Sequence, residues 1–488
     1  MQNYLAIDLG AESGRTIAGK LEGDRLKLIE THRFANEPVR VNGHLYWDVL
    51  RLWKEIKTGI ALSKKKMTRL DSLGVDAWGV DFALLDQQGE LLANPTHYRD
   101  ARTQGMLEEA FERMSAEQLF ASTGTQFMQI NTLFQLLAVK KRTPELLYAA
   151  DRLLTMPDLF NYWLSGEVSN EFTSATTTQC YDPRAGGWAF EVLQTMEIPS
   201  RLFGKISQPG TPLGTLTDQV GVETGAGRVP LLLPACHDTG SAVAAVPAAS
   251  SDFAWISSGT WSIMGAEVNQ PHLDEKTRLY NFTNEGGAGG TWRLSKNIMG
   301  LWLIQQCRSE WGREGQMLSY AELTHLAEDA SPFLAVIDVD DESFLAAGDM
   351  SGRIQAFCAR SGQFVPETTG QILRIVLEGM ALKYRLVLER LEEISGKRFE
   401  TIHIIGGGSQ NELLNQFTAD ATGCEVIAGP VEATAIGNIL VQAIGLKHLA
   451  SLTEARQVVE RSFEKTVYQP HQTMAWQEAY SLLRKVIN

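Results

Sequence analysis

Short apolar runs and stretches with helical spacing alternate along the whole chain. Apolar runs of a few residues, bounded by turn residues, predict strands at 4–9, 15–19, 27–34, 72–76, 82–85, 231–233, 401–405 and 426–428. Apolar residues at intervals of three and four predict helices at 47–62, 371–394, 413–422 and 433–444, with Gly423 as a C-cap, and a helical stretch over about the last 30 residues. Strands that alternate with helices predict an α/β fold.

Two segments half a chain apart share one layout. Residues 4–19 and residues 253–265 each predict a strand, a glycine turn and a second strand, with Gly10 and Gly259 at equivalent places. Either the chain contains two related domains that open with this unit, or two ordinary hairpins resemble each other by coincidence. The small-residue segment at 246–251 predicts a linker between the halves.

Overall charge narrows the classes of function. The chain has 488 residues, with 44 Lys and Arg against 58 Asp and Glu, and a formal net charge of −14. This balance argues against sequence-independent nucleic-acid binding, which needs a cationic surface. At about 150 residues per domain, the length predicts two or three domains.

Cysteine usage and the N-terminus point to the cytosol. The five cysteines are far apart and form no CxxC, which argues against a disulfide framework or a zinc site. The N-terminus lacks the basic region of a signal peptide, and no apolar run approaches the roughly 18 residues of a membrane span. We expect a cytoplasmic protein without a membrane partner, as a monomer or a small homo-oligomer.

Three glycine turns follow predicted strands, at 10–14, 257–260 and 406–408. Glycine lets backbone N–H groups approach phosphate oxygens without an intervening Cβ. The common nucleotide motifs are absent, however: there is no GxxxxGK[ST], and the triple glycine fails GxGxxG because position 411 is Asn. The HRD and DFG signatures of protein kinases are also missing. Any phosphate chemistry must therefore belong to another fold.

Strings around these turns resemble the nucleotide-contacting elements of the actin and hexokinase superfamily: DLGAESGR at 8–15, SSGT at 257–260 and IIGGGSQN at 404–411. Within that superfamily the chain resembles the FGGY carbohydrate kinases essentially from end to end. Further strings narrow the resemblance to members that phosphorylate L-rhamnulose: DAWGVD at 76–81, ACHDT at 235–239, NEGG at 284–287, KNIMGLW at 296–302 and GPVEAT at 429–434. Their order and spacing together are more specific than any one string.

The resemblance implies two actin-like, ribonuclease H-like domains with a central cleft. It implies an N-terminal domain at 1–247 with the sugar site, the first phosphate loop and the catalytic Asp, a C-terminal domain at 248–488 with the second phosphate loop and the adenosine site, and a hinge near 246–251. The implied activity is phosphorylation of L-rhamnulose at O1 in L-rhamnose catabolism, with ATP and Mg²⁺. The alternatives are a kinase of L-fuculose, L-xylulose or L-ribulose, and a non-catalytic protein that senses ATP or sugar.

Asp238 stands where an apolar strand ends and a small-residue helix begins. A carboxylate suits a general base because it is ionised at pH 7, and the resemblance implies that role on the sugar hydroxyl. The alternative is a helix N-cap, which also favours Asp, and both roles are compatible. The resemblance implies sugar contacts for His237 and Thr239 as well, whereas His237 alone also suits a core histidine bonded to the backbone.

The first glycine turn is the implied phosphate loop, with contacts from Ala11, Glu12, Ser13, Gly14 and Arg15. The resemblance implies that Asp8 holds Mg²⁺ through water, in keeping with the hydration of that ion. The alternatives are a turn-stabilising Asp8 and a solvated hairpin charge at Arg15. Glu12 is a departure, because a negative side chain in a phosphate loop must either point away or bind metal.

The remaining implied contacts are to ATP from Thr260, Gln305 and Gly407, and to the sugar from Gly79 and Asn297. Gly407 also suits a tight turn that needs a positive φ. Asn297 and Gln305 lie eight residues apart, which predicts one helix face for both.

Two neighbouring residues have open alternatives. Asn411 is predicted either to contact the nucleotide or to cap the helix that follows it. Trp78 is predicted to stack on the sugar or to belong to the core, and the core is favoured. Asp81 and residues 98–102 are predicted to form scaffold salt bridges.

Overall fold

A computed structural model describes residues 1–248, 250, 252–471 and 473–487. It divides into two compact units that interleave along the chain: unit 1 contains Met1–Ala249, Glu267–Leu294 and Ala433–Phe463, and unit 2 contains Ser250–Ala266, Ser295–Glu432 and Glu464–Asn488. The predicted division at 247 and 248 stays a prediction. So does the hinge at 246–251, of which Ala249 and Ser251 lie outside the described residues.

The elements are labelled in chain order. The strands are β1 Gln2–Leu9, β2 Ser13–Glu22, β3 Arg25–Ala35, β4 Val39–Val41, β5 His44–Tyr46, β6 Ser72–Ala77, β7 Phe82–Leu85, β8 Arg152–Thr155, β9 Asn170–Glu171, β10 Tyr181–Asp182, β11 Gly187–Trp188, β12 Ile206–Ser207, β13 Pro212–Thr215, β14 Pro230–Leu232, β15 Ala254–Ser258, β16 Trp261–Val268, β17 Thr283–Gly286, β18 Trp292–Met299, β19 Thr401–Ile405, β20 Glu425–Ala428 and β21 Thr466–Tyr468. The helices are α1 Val49–Lys66, α2 Met106–Arg113, α3 Ala116–Thr123, α4 Thr132–Arg142, α5 Pro144–Ala149, α6 Met156–Ser165, α7 Phe172–Ala175, α8 Phe190–Thr195, α9 Asp218–Thr224, α10 Asp238–Ala244, α11 Glu275–Leu279, α12 Trp302–Arg313, α13 Tyr320–Asp329, α14 Met350–Arg360, α15 Thr369–Ser395, α16 Glu412–Thr422, α17 Ala433–Gly445, α18 Leu452–Ser462 and α19 Thr473–Ile487.

Unit 1 is built on a sheet with the strand order β13-β14-β6-β1-β2-β3. β1 and β14 both run parallel to β6, and β1 forms an antiparallel hairpin with β2. The apolar residues of these strands are buried with those of α1 and α6 in one hydrophobic cluster. Because β1, β6 and β14 run in the same direction, residues at their carboxyl ends meet at one edge of the sheet.

Helix α10 follows β14 and packs against α17 within the same unit. A Cβ at Gly437 of α17 would lie 1.7 Å from the carbonyl oxygen of Ser241 in α10. Only glycine permits this approach of the two backbones. The position of α10, and of the turn that precedes it, therefore depends on a residue nearly two hundred positions away.

Unit 2 contains the second predicted hairpin. β15 pairs antiparallel with β16 and parallel with β19, and β20 continues the parallel run beside β19. The long helix α15 begins with a capping box between Thr368 and Gln371, and ends at Gly396 in the left-handed region. Within the described ranges, no helix has the length and apolar character that a membrane crossing requires.

The predicted strands and helices are confirmed, with bounds that differ by a few residues. Gly423 is the C-cap of α16, as predicted. The predicted helical stretch over about the last 30 residues is confirmed for α19 and the end of α18, but it is wrong at β21, which lies between them and pairs antiparallel with β20. This strand has three residues, of which two are exposed, so it shows no apolar periodicity in the sequence.

Candidate active site

Three aspartates lie at the carboxyl edge of the parallel strands of unit 1. Asp8 of β1 stands in register with Asp76 of β6, and Asp238 follows β14 after a short turn. Ala77 at the end of β6 forms a parallel bridge with His237, which brings that turn to the same edge. The end of a parallel sheet is where ligands bind in open α/β folds. This edge is therefore the candidate active site within unit 1.

Asp238 is the first residue of α10, and His237 occupies the N-cap position without a side-chain capping bond. The alternative of Asp238 as an N-cap is therefore wrong. Its Oδ1 instead accepts hydrogen bonds from the backbone N–H of Thr239 at 2.5 Å and from the Thr239 hydroxyl at 3.1 Å. The Asp238 side chain remains 28% exposed, which leaves it accessible to a ligand. Burial, together with the negative charge of Asp8, raises its pKa above the ordinary range although His237 lowers it.

Gly79, His237, Asp238 and Thr239 lie together at this edge, and their contact with the sugar stays a prediction. A Cβ at Gly79 would lie 3.3 Å from Nε2 of His237, so the glycine leaves room beside the imidazole. Nε2 in turn lies 3.3 Å from Oδ1 of Asp238. His237 is 6% exposed and Thr239 is 4% exposed. The alternative that His237 is a core histidine bonded to the backbone is wrong. Its ring nitrogens contact the side chains of Asp238, Glu285 and Arg293.

Trp78 belongs to the core, as favoured from the sequence. It is 5% exposed, and its ring centroid lies 4.1 Å from that of Trp47. The indole N–H groups of both tryptophans donate to Oδ2 of Asp81, at 3.0 and 2.6 Å, and Gln135 donates to Oδ1 at 2.8 Å. Asp81 is thus a scaffold residue, but its partners are neutral hydrogen-bond donors instead of the predicted salt bridge. Burial raises its pKa to about 6.

Asp8 and Arg15 pair across the β1–β2 hairpin. They are register partners, and Nε and Nη2 of Arg15 each lie 2.9 Å from Oδ2 of Asp8. Asp8 is 3% exposed, so this is a largely buried contact. The alternative of Arg15 as a solvated hairpin charge is therefore wrong. The alternative of Asp8 as a residue that bonds its own loop is also not what the structure has, since its partner is a strand residue.

The loop between these strands, predicted to bind phosphate, is compact. The N–H of Gly10 donates to the carbonyl of Ser13 at 2.9 Å. A Cβ at Gly14 would lie 2.3 Å from the ring of Phe34, so the loop packs directly on an aromatic side chain. Ala11 and Ser13 are half-buried, and Glu12 is exposed. Of the two alternatives for Glu12, exposure agrees with a side chain that points away from the fold.

The residues around Asp8 fit a hydrated Mg²⁺. Within the described residues, no group of three or more His, Cys, Asp or Glu side chains is placed to hold a metal by itself. Mg²⁺ generally keeps several waters and binds one or two carboxylates together with substrate phosphates. Asp8 supplies one buried carboxylate, and the buried Oδ1 of the neighbouring Asp76 accepts no hydrogen bond from the described part of the chain. These acids suit an ion held mainly by water and phosphate, and the ion stays a prediction.

Unit 2 carries the remaining glycine turns. The carbonyls of Gly259 and Thr260 accept hydrogen bonds from the N–H groups of Leu301 and Trp302, which fixes the hairpin turn to the start of α12. The prediction of Asn297 and Gln305 on one helix face is wrong, because Asn297 lies in β18 and Gln305 in α12.

Gly300 separates that strand from that helix. A Cβ there would lie 2.6 Å from the N and Oγ of Ser262, so only glycine fits at this position. The chain therefore turns at Gly300, where the eight-residue spacing suggested a continuous helix.

The three glycines at 406–408 differ in backbone conformation and in the atoms around them. Gly406 has the positive φ, 85°, and a Cβ at Gly408 would lie 2.0 Å from Oγ of Ser258. A Cβ at Gly407 would meet no atom within 4 Å. The alternative of Gly407 as the positive-φ residue is therefore wrong, and its backbone faces open space, as contact with a ligand requires. Asn411 caps α16, since its side chain accepts from the N–H of Leu414 at 2.9 Å.

Glu285 and Arg293 were missed from the sequence. Both are buried in unit 1, and Nη2 of Arg293 lies 3.0 Å from Nδ1 of His237 and 3.1 Å from Oε2 of Glu285. Burial alone would raise the pKa of Glu285, but the neighbouring Arg293 outweighs it and the pKa lies below the ordinary range. The string NEGG contained Glu285, yet nothing along the chain indicated its partner.

The chain matches models of the two domains of the FGGY family of carbohydrate kinases, the N-terminal domain over residues 3–245 and the C-terminal domain over residues 254–446. It is 45% identical to a rhamnulokinase of Bacteroides thetaiotaomicron over 479 residues, with 98% of each chain covered. It is 41% identical to a rhamnulokinase of Oceanobacillus iheyensis, with 96% of this chain and 98% of that one covered.

Two solved structures show the fold. They are a ligand-bound xylulose kinase of Lactobacillus acidophilus, with a TM-score of 0.83, and a Plasmodium falciparum glycerol kinase with ADP, with a TM-score of 0.79. Each is 15% identical, and the match covers 100% of this chain and 98% of the other. They confirm the predicted α/β fold of two actin-like domains. With both halves of the chain matched, this protein belongs to the FGGY family of carbohydrate kinases.

Proposed function

We propose that this protein transfers the γ-phosphoryl group of ATP to O1 of L-rhamnulose, giving L-rhamnulose 1-phosphate in L-rhamnose catabolism. The observation that carries the phosphotransfer is a half-buried carboxylate, Asp238, beside His237 and at the sheet edge where Asp8 lies near the end of β1. The choice of sugar is supported by full-length relatives named rhamnulokinase at 41% and 45% identity.

Asp238 acts as the general base in this proposal. Oδ1 already accepts two hydrogen bonds from Thr239 and faces Nε2 of His237. Oδ2 is then the oxygen left for the sugar hydroxyl. Because phosphoryl transfer passes through a loose transition state, the hydroxyl proton leaves late and a weak base is sufficient. Gly79, His237, Thr239 and Asn297 would orient the sugar.

The phosphates would bind the backbone amides and side chains of the loop Ala11, Glu12, Ser13, Gly14 and Arg15. Asp8 would hold Mg²⁺ through water, and the bound ion supplies positive charge to the phosphate oxygens. Thr260, Gln305 and Gly407 would contact ATP from unit 2. Since the net charge of −14 does not attract ATP, binding depends on these local donors and on the ion.

An ADP-release assay on the purified full-length protein tests the proposal with a panel of ketoses. We expect the highest kcat/KM for L-rhamnulose, ahead of L-fuculose, L-xylulose and L-ribulose, and a product with phosphate on C1 by ³¹P and ¹H NMR. ATP hydrolysis without sugar is the control. If another ketose exceeds L-rhamnulose, the substrate assignment is wrong; if no ketose exceeds the control, the kinase assignment is wrong. The cytoplasmic location and the oligomeric state stay predictions.

A further inference from the structure

A fully buried charged pair lies behind His237, on the side of the ring away from Asp238. Arg293 of β18 is 0% exposed, and Glu285 of β17 is 4% exposed. Both belong to unit 1, as do His237 and Asp238. Burying a guanidinium is costly unless its charge is compensated and its donors are used. Arg293 is buried against the ring of His237, a residue predicted to contact the sugar, and this placement therefore needs a functional explanation.

Arg293 is fixed by three contacts. Its Nε donates to the carbonyl of Gly286 at 2.8 Å, and its Nη2 lies 3.1 Å from Oε2 of Glu285. The same Nη2 forms a hydrogen bond of 3.0 Å with Nδ1 of His237. The guanidinium is therefore aimed at one ring nitrogen by a backbone carbonyl and by a carboxylate.

The direction of that hydrogen bond determines where the imidazole proton lies. A guanidinium has five N–H donors and no acceptor, and it stays protonated in proteins. Nδ1 of His237 must therefore accept from Arg293 with its lone pair. A neutral imidazole carries one proton, which is then on Nε2. Nε2 lies 3.3 Å from Oδ1 of Asp238, so this carboxylate is within reach of that proton.

Glu285 makes the arrangement depend on Arg293. Its Oε2 lies 3.3 Å from Nδ1 of His237, close enough to accept a proton from that nitrogen. Nη2 of Arg293 lies between the two atoms, with a hydrogen bond to Nδ1 of His237 and an ion-pair contact to Oε2 of Glu285. Without Arg293, Nδ1 would gain the proton and donate to Glu285, and the lone pair of Nε2 would face the carboxylate of Asp238. Two acceptors would then oppose each other at the catalytic position.

We propose that Arg293 is a positioning residue that holds His237 as the Nε2–H tautomer, so that His237 donates to Oδ1 of Asp238 and keeps Oδ2 directed at the sugar hydroxyl. Glu285 neutralises the buried guanidinium. The role of Asp238 in this inference rests on the proposed function. The tautomer itself does not, because it follows from the contacts of Arg293 alone.

Histidine NMR of the full-length protein tests the tautomer directly. The protein is labelled with ¹³C and ¹⁵N only in histidine, and the His237 signals are assigned by their loss in His237→Asn. At pH 8 and without substrate, we expect the Cδ2 and ring-nitrogen shifts of the Nε2–H form. An Nδ1–H tautomer or an imidazolium in the wild-type protein overturns the proposal, and the tautomer is read in the wild-type protein with no substrate reacting.

A charge-balanced double variant tests the role of Arg293. Arg293→Met with Glu285→Gln removes the donor without leaving a buried unpaired carboxylate. We expect His237 to lose the pure Nε2–H signature and kcat to fall about 10²-fold, the scale of a misdirected catalytic group, while ATP still binds. In Arg293→Lys, which keeps a donor-only side chain, we expect the Nε2–H form and most of kcat to return. A double variant with unchanged shifts and unchanged kcat overturns the proposal.

A second buried pair supplies the matched control. Arg456 and Glu267 also belong to unit 1, and their side chains, 11% and 7% exposed, form an ion pair of 2.5 Å. Arg456→Met with Glu267→Gln should leave the His237 shifts unchanged. If both double variants change the shifts alike, the effect is general loosening and the proposal is wrong. If the wild-type tautomer is as expected but no ketose is phosphorylated, the proposed function is wrong while the role of Arg293 toward His237 stands.

Discussion

The two glycine-turn hairpins share a backbone design. In unit 1, β1 pairs antiparallel with β2 and parallel with β6; in unit 2, β15 pairs antiparallel with β16 and parallel with β19. Each turn is closed by the N–H of its glycine, Gly10 or Gly259, which donates to the carbonyl of Ser13 or Trp261 at 2.9 Å in both cases. The likeness noticed in the sequence is therefore a likeness of hydrogen bonding.

Charge distinguishes the hairpins. Asp8, two residues before its turn glycine, faces Arg15 on one neighbouring strand and Asp76 on the other. Ser257, two residues before its own turn glycine, faces an isoleucine on each neighbouring strand. One scaffold thus presents charged side chains in unit 1 and backbone groups beside a glycine turn in unit 2. This difference agrees with the proposal that the hairpin of unit 1 takes part in phosphoryl transfer and the hairpin of unit 2 in nucleotide binding.

The largest effect should come from the charged edge of unit 1. Asp238→Asn removes the proposed base and keeps an acceptor for the Thr239 bonds, so kcat should fall about 10²–10⁴-fold, the usual contribution of general acid–base catalysis. ATP affinity, measured by calorimetry, should stay within a few-fold. Asp218→Asn, at an exposed ion pair with Arg228 in the same unit, is the control and should leave kcat unchanged. Turnover by Asp238→Asn at the wild-type rate would remove Asp238 from the mechanism.

Substitutions at equivalent hairpin positions test the comparison itself. Asp8→Asn removes one charge from the pair with Arg15 and from the proposed ion site, so kcat should fall about 10²-fold, as for the loss of one transition-state contact, and the Mg²⁺ concentration at half-maximal rate should rise. Ser257→Ala, between two isoleucines, should leave both quantities within about twofold because it removes one neutral hydroxyl and no charge. Equal losses in the two variants would show that both hairpins matter only as scaffold.

The pH dependence of kcat/KM links the charged hairpin to the base. Burial and Asp8 raise the pKa of Asp238, and only its ionised form accepts a proton. The rate should therefore fall about tenfold per pH unit on the acid side, from a midpoint above the ordinary Asp value of about 3.9. Asp8→Asn removes a like charge, which favours ionisation of Asp238, so the midpoint should shift to lower pH. A shift to higher pH, or none, would contradict the coupling.

The sequence could predict what lies along the chain. Apolar runs gave the strands of both hairpins, and the resemblance gave Asp238 and the turns, because these are local strings. The sequence could not predict contacts between residues that are far apart along the chain. Arg293 contacts His237 across 56 residues, and no periodicity reports such a contact. The spacing of Asn297 and Gln305 misled because two residues do not make a period, and Gly300 ends the strand between them.

Gly407 and Gly408, two of the three glycines in the third turn, have different surroundings, so substitutions there test ligand binding and packing separately. Gly408→Ala would place a Cβ 2.0 Å from Oγ of Ser258, in the neutral hairpin, and should cost about 1–3 kcal/mol of stability through overpacking. Gly407→Ala meets no protein atom within 4 Å. It should leave Tm unchanged and raise the KM for ATP several-fold, because a ligand that approaches the backbone would meet the new methyl group. Differential scanning calorimetry and initial rates distinguish the two, and a lower Tm with an unchanged KM in Gly407→Ala would contradict the binding role.

The smallest effect should come from Glu12, the negative residue in the loop proposed to bind phosphate. Its side chain is exposed, so its repulsion of ATP is screened by water and salt. Glu12→Gln should lower the KM for ATP by less than about threefold, and the gain should shrink as ionic strength rises. If Glu12 instead binds the metal, the same substitution should raise the Mg²⁺ requirement and leave little salt dependence. Initial rates over a grid of ATP, Mg²⁺ and KCl concentrations decide between the two, and they show whether Asp8 is the acid of the charged hairpin on which the ion depends.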